Sequence, residues 1–152
     1  MHVQNIVHRD IKHLNVFIND SGPLPRVRIG DLGLACLVEN DEGIVSQAGT
    51  PAYMAPEVAA GDEYSFAADV WSLGVILYAL VSSKLPYKGS SKQQVLELIL
   101  SKELLFEEAD SELWSKVSAS CKDLLLCMLD KNQNTRISIR DVLKHPWLTG
   151  RQ

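Results

Sequence analysis

A chain of 152 residues, 46% of them hydrophobic, can bury a core and amounts to one domain or part of one. Its net charge of −4 bears on solubility and steering but defines no local pocket. The three cysteines, Cys36, Cys121 and Cys127, are odd in number and lack metal-ligand spacing. That pattern argues against a disulfide framework or a cysteine metal site and for reduced thiols inside a cell.

In chain order, Val16 to Ile18 reads as a short strand of β-branched and aromatic residues, ended by the turn cluster Asn19-Asp20-Ser21-Gly22. Arg26 to Ile29 reads as its partner strand. The longest apolar run, Val70 to Val81, predicts a helix buried all round, and it falls short of the roughly 18 residues a membrane span needs. Lys84 to Gly89 is a loop by its Pro and Gly, and Ser91 to Ser101 places Val95, Leu96, Leu98 and Ile99 at helical spacing. Ser120 to Leu129 predicts a second buried helix. Ser138 followed by Asp141 has the form of a capping box for the last helix, with Pro146 just after its end. No repeat, low-complexity tract or signal peptide is evident, so the expected setting is intracellular, cytoplasmic or nuclear, with no nucleic-acid or membrane partner.

Three motifs occur in one order: His8-Arg9-Asp10-Ile11-Lys12-His13-Leu14-Asn15, then Asp31-Leu32-Gly33, then Ala55-Pro56-Glu57. Any one alone matches often by chance. Together, on the expected strands and loops, they resemble the catalytic loop, metal-binding triplet and activation-segment end of protein kinases. The resemblance covers nearly the whole chain: a partial kinase domain at 1–148 and a tail at 149–152. The implied fold is mainly α within the α+β class, a helical C-lobe with a small β-hairpin at the catalytic loop and no N-lobe. The ending His145-Pro146-Trp147-Leu148 is similar to that of the calcium/calmodulin-dependent kinase group.

The resemblance implies a role for each matching residue. Phosphoryl transfer needs positioning and charge stabilisation more than covalent chemistry. Asp10 would orient the substrate hydroxyl and accept its proton, Lys12 would face the γ-phosphate of ATP, and Asn15 and Asp31 would hold Mg²⁺ through hard oxygen donors. Phe17 would lie beneath the adenine. Leu32 stands where Phe is usual and is expected to pack, as an apolar residue still, beneath the metal ligand. Lys12 and the run Gly49-Thr50-Pro51-Ala52-Tyr53-Met54 resemble the serine/threonine class, with Thr50 bonded towards Asp10 and Lys12. Protein Ser or Thr is then the acceptor. Two family acids that recognise arginine in substrates are replaced by Leu14 and Ala79, which implies no strong preference for basic peptides there.

Arg9 precedes the catalytic Asp10, an arrangement that in the family pairs with a charge on the activation segment. Ser46 is the matching phosphosite, although Cys36 replaces the second basic contact, and Glu39, Asp41 and Glu42 could supply the charge instead. Asp69 would brace the catalytic loop, and Glu57 would form a buried ion pair with Arg136. No Gly-rich loop G-x-G-x-x-G and no V-A-I-K lysine occurs in the chain. The expectation is therefore a fragment, inactive alone, whose missing N-lobe belongs to a longer protein. A non-catalytic binding or regulatory module is the alternative, and an abortive product without a stable fold is a third.

Overall fold

The computed structural model describes residues 1–19, 22, 24–38, 43–104 and 106–150. Two small antiparallel sheets come first. Strand β1 (Ile6–Val7) pairs with β4 (Cys36–Leu37), and β2 (Val16–Asn19) pairs with β3 (Arg26–Ile29) in the register Val16 to Ile29 and Asn19 to Arg26. The β2–β3 hairpin is the predicted one. Asp20 and Ser21 of its predicted turn lie outside the described residues. The β1–β4 pairing was not foreseen, because two-residue strands carry no periodicity to read.

Helices make up the rest: α1 (Pro56–Ala60), α2 (Ala67–Ser82), α3 (Lys92–Ser101), α4 (Phe106–Lys116), α5 (Ala119–Met128), α6 (Ile139–Val142) and α7 (Pro146–Thr149). Serine side chains start three of them, since Ser91, Ser118 and Ser138 each accept a hydrogen bond from the first-turn N–H of Gln94, Cys121 and Asp141. At Ser138 the reciprocal partner differs from a standard capping box. Asp141 accepts from the Ser138 hydroxyl at 2.6 Å, which ties the same two residues together through the side chains. Pro146 does more than follow a helix end: it opens α7, whose cap is His145, the imidazole Nδ1 accepting from Trp147 N–H.

The core gathers around α2. Trp71, Val75 and Tyr78 of α2 pack with Val95 and Ile99 of α3, Trp114 of α4, and Cys121 and Leu125 of α5. Helix α4, absent from the sequence expectations, contributes the fully buried Trp114, which lies 4.5 Å from Phe106 and 5.1 Å from Tyr78 between ring centroids. Gly74 lets α2 and α5 approach closely, because a Cβ there would stand 2.9 Å from Leu129 Cδ2 and 3.0 Å from Met128 Cβ. The prediction that α2 is buried all round is corrected. Leu80 is 77% exposed and Ile76, Leu77, Ala79 and Val81 are half-buried, since the neighbouring helices pack on one side of α2 and leave its C-terminal half with an open face. No described helix is long and apolar enough to cross a membrane.

Glu57 and Arg136 hold this core to its rim. The guanidinium donates to both carboxylate oxygens, at 2.6 and 2.8 Å, and both residues are buried. Arg136 also donates to the carbonyls of Ala67 and Asp130 and lies 5.1 Å over the Trp71 ring. One cation thus joins α1, the start of α2 and the turn before α6. Removing it strands a buried carboxylate, and a broken buried pair costs about 3–5 kcal/mol. Arg136→Ala is therefore expected to lower the unfolding free energy by that amount in urea titration. Glu57→Leu combined with Arg136→Met should lose less than Arg136→Ala alone; a double variant that is the least stable of the set contradicts this account.

Candidate active site

The site begins at Asp69 in the first turn of α2. This carboxylate is 1% exposed and accepts from the backbone N–H groups of His8 at 2.8 Å and Arg9 at 3.0 Å, and its Oδ2 also meets His2 Nε2 at 2.9 Å. Two main-chain donors on one rigid acceptor hold the loop in a conformation it would otherwise resist. Arg9 has φ 70°, in the left-handed region that costs a non-glycine residue about 1–3 kcal/mol. The buried imidazole of His8 reaches the other way, Nε2 lying 3.0 Å from the Gly30 carbonyl, and so ties this loop to the end of β3.

Asp10 sits at the centre. Its Oδ1 accepts from the Thr50 hydroxyl at 2.7 Å and from Thr50 N–H at 3.0 Å, while Oδ2 accepts from Lys12 Nζ at 2.6 Å and from Asn15 Nδ2 at 3.3 Å. Lys12 donates also to Thr50 Oγ1 at 3.0 Å, closing a triangle. Burial pushes the Asp10 carboxyl up, but hydrogen bonds from Lys12 and Thr50 together with the Lys12 charge outweigh it and hold the group below its ordinary value. It is a carboxylate surrounded by donors.

Gly49 makes this meeting possible. It has φ 110°, and a Cβ on it would stand 2.4 Å from the Arg9 carbonyl oxygen, so any side chain would drive the segment carrying Thr50 off the loop carrying Asp10. Sequence reasoning placed Gly49 inside a motif without a role of its own. It also missed Tyr53, whose hydroxyl lies 2.6 Å from His13 Nδ1 and makes a second tie between the two segments. A positive φ and a cross-chain hydrogen bond leave no local pattern to read.

Asn15 and Asp31 stand where the hairpin begins and ends. Asn15 is buried, donates from Nδ2 to the Asp10 carbonyl at 2.8 Å, and its own carbonyl accepts from Gly30 N–H at 2.9 Å. With Nδ2 committed inward, Oδ1 is the atom Asn15 can offer a cation. Asp31, exposed and at φ 63°, accepts from Gly33 N–H at 3.4 Å through Oδ1. The amide oxygen of Asn15 and the carboxylate of Asp31 are hard donors of the kind Mg²⁺ takes, and a pair of protein ligands suits an ion that keeps waters and phosphates for its remaining positions. Phe17, on β2, lays its ring over Gly30, where a Cβ would meet Cε2 at 2.7 Å, and is itself 57% exposed. Leu32 departs from expectation. It is 59% exposed rather than packed beneath Asp31, because the chain leaves β3 in a turn that no described side chain covers.

Arg9 faces away from this cluster and reaches Ser46, donating from Nη1 to Ser46 Oγ at 2.7 Å and towards Tyr64 Oη at 3.5 Å, with Nε directed to the Leu34 carbonyl. Ser46 Oγ and Tyr64 Oη are 3.3 Å apart. Cys36 lies on β4, half-buried, and Leu14 is 69% exposed. Glu39, Asp41 and Glu42, the acids expected as a built-in partner for Arg9, lie outside the described residues.

Comparison with known proteins agrees with these observations. The family model described as Protein kinase domain matches residues 1–148. The chain is 40% identical over 97% of its length to Serine/threonine-protein kinase PEPKR2 of Arabidopsis thaliana, 37% over 96% to Calcium-dependent protein kinase 5 of Plasmodium falciparum (isolate 3D7), and 35% over 98% to human Death-associated protein kinase 2. It spans 30%, 25% and 40% of those proteins. The mainly helical lobe with a small hairpin at the catalytic loop, expected from the motifs, is the fold observed. With a family match over residues 1–148, almost its entire length, the chain belongs to the protein kinase domain family.

Proposed function

We propose that this chain carries the catalytic loop and metal-holding residues of a serine/threonine protein kinase that transfers the γ-phosphate of Mg-ATP to protein Ser or Thr. The observation that carries the reading is the convergence of Lys12, Thr50 and Asn15 on the Asp10 carboxylate. An acid kept ionised in a partly buried, donor-rich site can accept a proton from an approaching hydroxyl and fix its orientation. Lys12, already close to Asp10 and Thr50, has the charge and reach to meet a phosphate oxygen. Thr50, through its hydroxyl and N–H, keeps Asp10 turned towards the acceptor and narrows the space beside it, which suits a short aliphatic alcohol better than a phenol. Asn15 and Asp31 would hold Mg²⁺; the ion, when bound, neutralises charge on the phosphates. Arg9 gives a phosphate on Ser46 a charge-assisted partner and so supports regulation at that serine.

Replacing Asp10 by Ala removes the hydroxyl-orienting carboxylate. In a longer protein that joins this chain to a nucleotide-covering lobe, turnover on a Ser or Thr substrate is expected to fall about 10²–10⁴-fold. Wild-type phosphotransfer by a clean Asp10→Ala preparation would falsify the assignment, and phosphoamino-acid analysis dominated by phosphotyrosine would remove the Ser/Thr part of it.

The depressed Asp10 pKa gives a pH signature. A carboxyl whose folded pKa lies below its unfolded value, near 3.8, adds stability that is complete above that value and is lost as pH falls through the folded pKa. Lys12→Met takes away the strongest opposing charge, so Asp10 should titrate at higher pH in the variant when followed by carboxyl NMR shifts. An unchanged titration would mean that Lys12 does not set the Asp10 charge.

Ser46→Ala and joint neutralisation of Glu39, Asp41 and Glu42 separate two sources of charge for Arg9. Activity lost only in the first points to phosphorylation, and activity lost only in the second points to the acids. Full activity in both and in their combination leaves Arg9 with no regulatory partner.

A further inference from the structure

The loop carrying Asp10 and the segment carrying Thr50 lie together, yet among the described residues no backbone-to-backbone hydrogen bond joins 10–15 to 49–54. Their register rests on side chains. At one end Asp10 accepts from the Thr50 hydroxyl at 2.7 Å and from its N–H at 3.0 Å; three residues on along both segments, Tyr53 Oη and His13 Nδ1 stand 2.6 Å apart. Lys12 lies between the two ties, its Nζ 2.6 Å from Asp10 Oδ2 and 3.0 Å from Thr50 Oγ1.

The partners of the second tie are held differently. Tyr53 is buried, its carbonyl accepts from the Ser72 hydroxyl of α2 at 2.8 Å, and its N–H donates back to the Thr50 carbonyl at 2.9 Å. It is fixed to the core and to Thr50 at once. His13 is exposed and opens the short turn His13–Asn15 directly after Lys12. Burial raises the Tyr53 phenol above its ordinary pKa, against a smaller opposing pull from the Lys12 charge, so the phenol keeps its proton and donates it to Nδ1 of the Nε2–H tautomer.

We infer that His13 is a positioning residue for the proposed phosphotransfer, which by hooking its loop to Tyr53 keeps Lys12 and the Thr50 hydroxyl in place on the Asp10 carboxylate; the inference rests on the kinase reading above. A single tie at Asp10 and Thr50 leaves the two segments free to pivot about it. Two ties three residues apart remove that freedom, and small displacements of a positioned group are costly in rate. One hydrogen bond of this kind shifts an equilibrium about two- to tenfold.

The test follows Thr50 by NMR in the 152-residue chain, in wild type, His13→Ala, His13→Asn, Tyr53→Phe and the double variant of His13→Ala with Tyr53→Phe. Asn carries an acceptor oxygen close to where the imidazole holds Nδ1, and Phe keeps the ring of Tyr53 in its packing, so each variant changes the bond more than the fold. Nitrogen chemical shifts of wild-type His13 should report the Nε2–H tautomer. Exchange of the Thr50 N–H with solvent should speed about two- to tenfold in His13→Ala and in Tyr53→Phe, go no further in the double variant, and return towards wild type in His13→Asn, with the amides of α5 unchanged throughout. An Nδ1–H tautomer, Thr50 exchange that neither single variant moves, additive effects in the double variant, or His13→Asn no better than His13→Ala overturns the inference. In a longer protein that joins this chain to a nucleotide-covering lobe, His13→Ala should lower kcat about two- to tenfold with the KM for ATP unchanged, and His13→Asn should restore it. Wild-type kcat in His13→Ala, where Asp10→Ala has lost its turnover, removes His13 from the mechanism and leaves the kinase reading standing. A wild-type protein that transfers no phosphate removes the kinase reading and the catalytic role together, while the Thr50 exchange still decides whether His13 holds the two segments.

Discussion

The position of the whole site depends on a carboxylate held inside the protein by a helix that cannot move. Asp69 shares the first turn of α2 with residues locked in the core, among them Val70 at 1% and Trp71 at 0% exposure. A carboxylate this near a helix N-terminus is also favoured by the helix dipole. The two backbone donors it satisfies, on His8 and Arg9, would otherwise be unpaired or differently placed, and Arg9 would have no reason to remain at a positive φ. The apolar run that makes α2 a core helix therefore also fixes where Asp10 emerges. Packing is translated into the geometry of the loop by two hydrogen bonds.

From that loop, consecutive residues reach two points of one segment. Arg9 meets Ser46 and Asp10 meets Thr50, four residues further along. Gly49 lets the second contact close, since it removes the Cβ that would strike the Arg9 carbonyl. The segment is pinned at both ends to neighbouring residues of the loop. On the proposed reading, a change in charge at Ser46 would act on the same short stretch of backbone that positions the half-buried Thr50 hydroxyl.

Much of this arrangement was legible in the sequence because the residues of the proposed chemistry lie in contiguous motifs: Asp10, Lys12 and Asn15 in one loop, Asp31 after a strand, Thr50 before Pro51. Helices with clear caps and spacing, such as α3 from Ser91, were legible for the same reason. What escaped depends on pairing across the chain. The β1–β4 contact and the His13–Tyr53 bond join residues 29 to 40 positions apart, and Gly49 owes its role to a carbonyl forty residues away. Helix α4 begins Phe106-Glu107-Glu108-Ala109-Asp110, a polar stretch whose anchor, Trp114, comes late. The overstatement about α2 has a physical source too: twelve apolar or small residues in succession look alike on every side, and only the placement of α3 and α5 decides which side is covered.

The two oxygen donors proposed for a cation are not held alike. Asn15 is buried and fixed by hydrogen bonds to the Asp10 carbonyl and from Gly30 N–H, so its geometry comes with the loop. Asp31 is exposed and sits beyond a two-stranded hairpin whose Phe17, Ile18, Val27 and Ile29 are between 41% and 65% exposed. A two-stranded hairpin with so little burial contributes little stability of its own. Among the described residues, His8, through its contact with the Gly30 carbonyl, is a buried side chain that ties the loop to the residue before Asp31. On the proposed reading, cation affinity would include the cost of settling Asp31, whereas Asn15 has met that cost on folding.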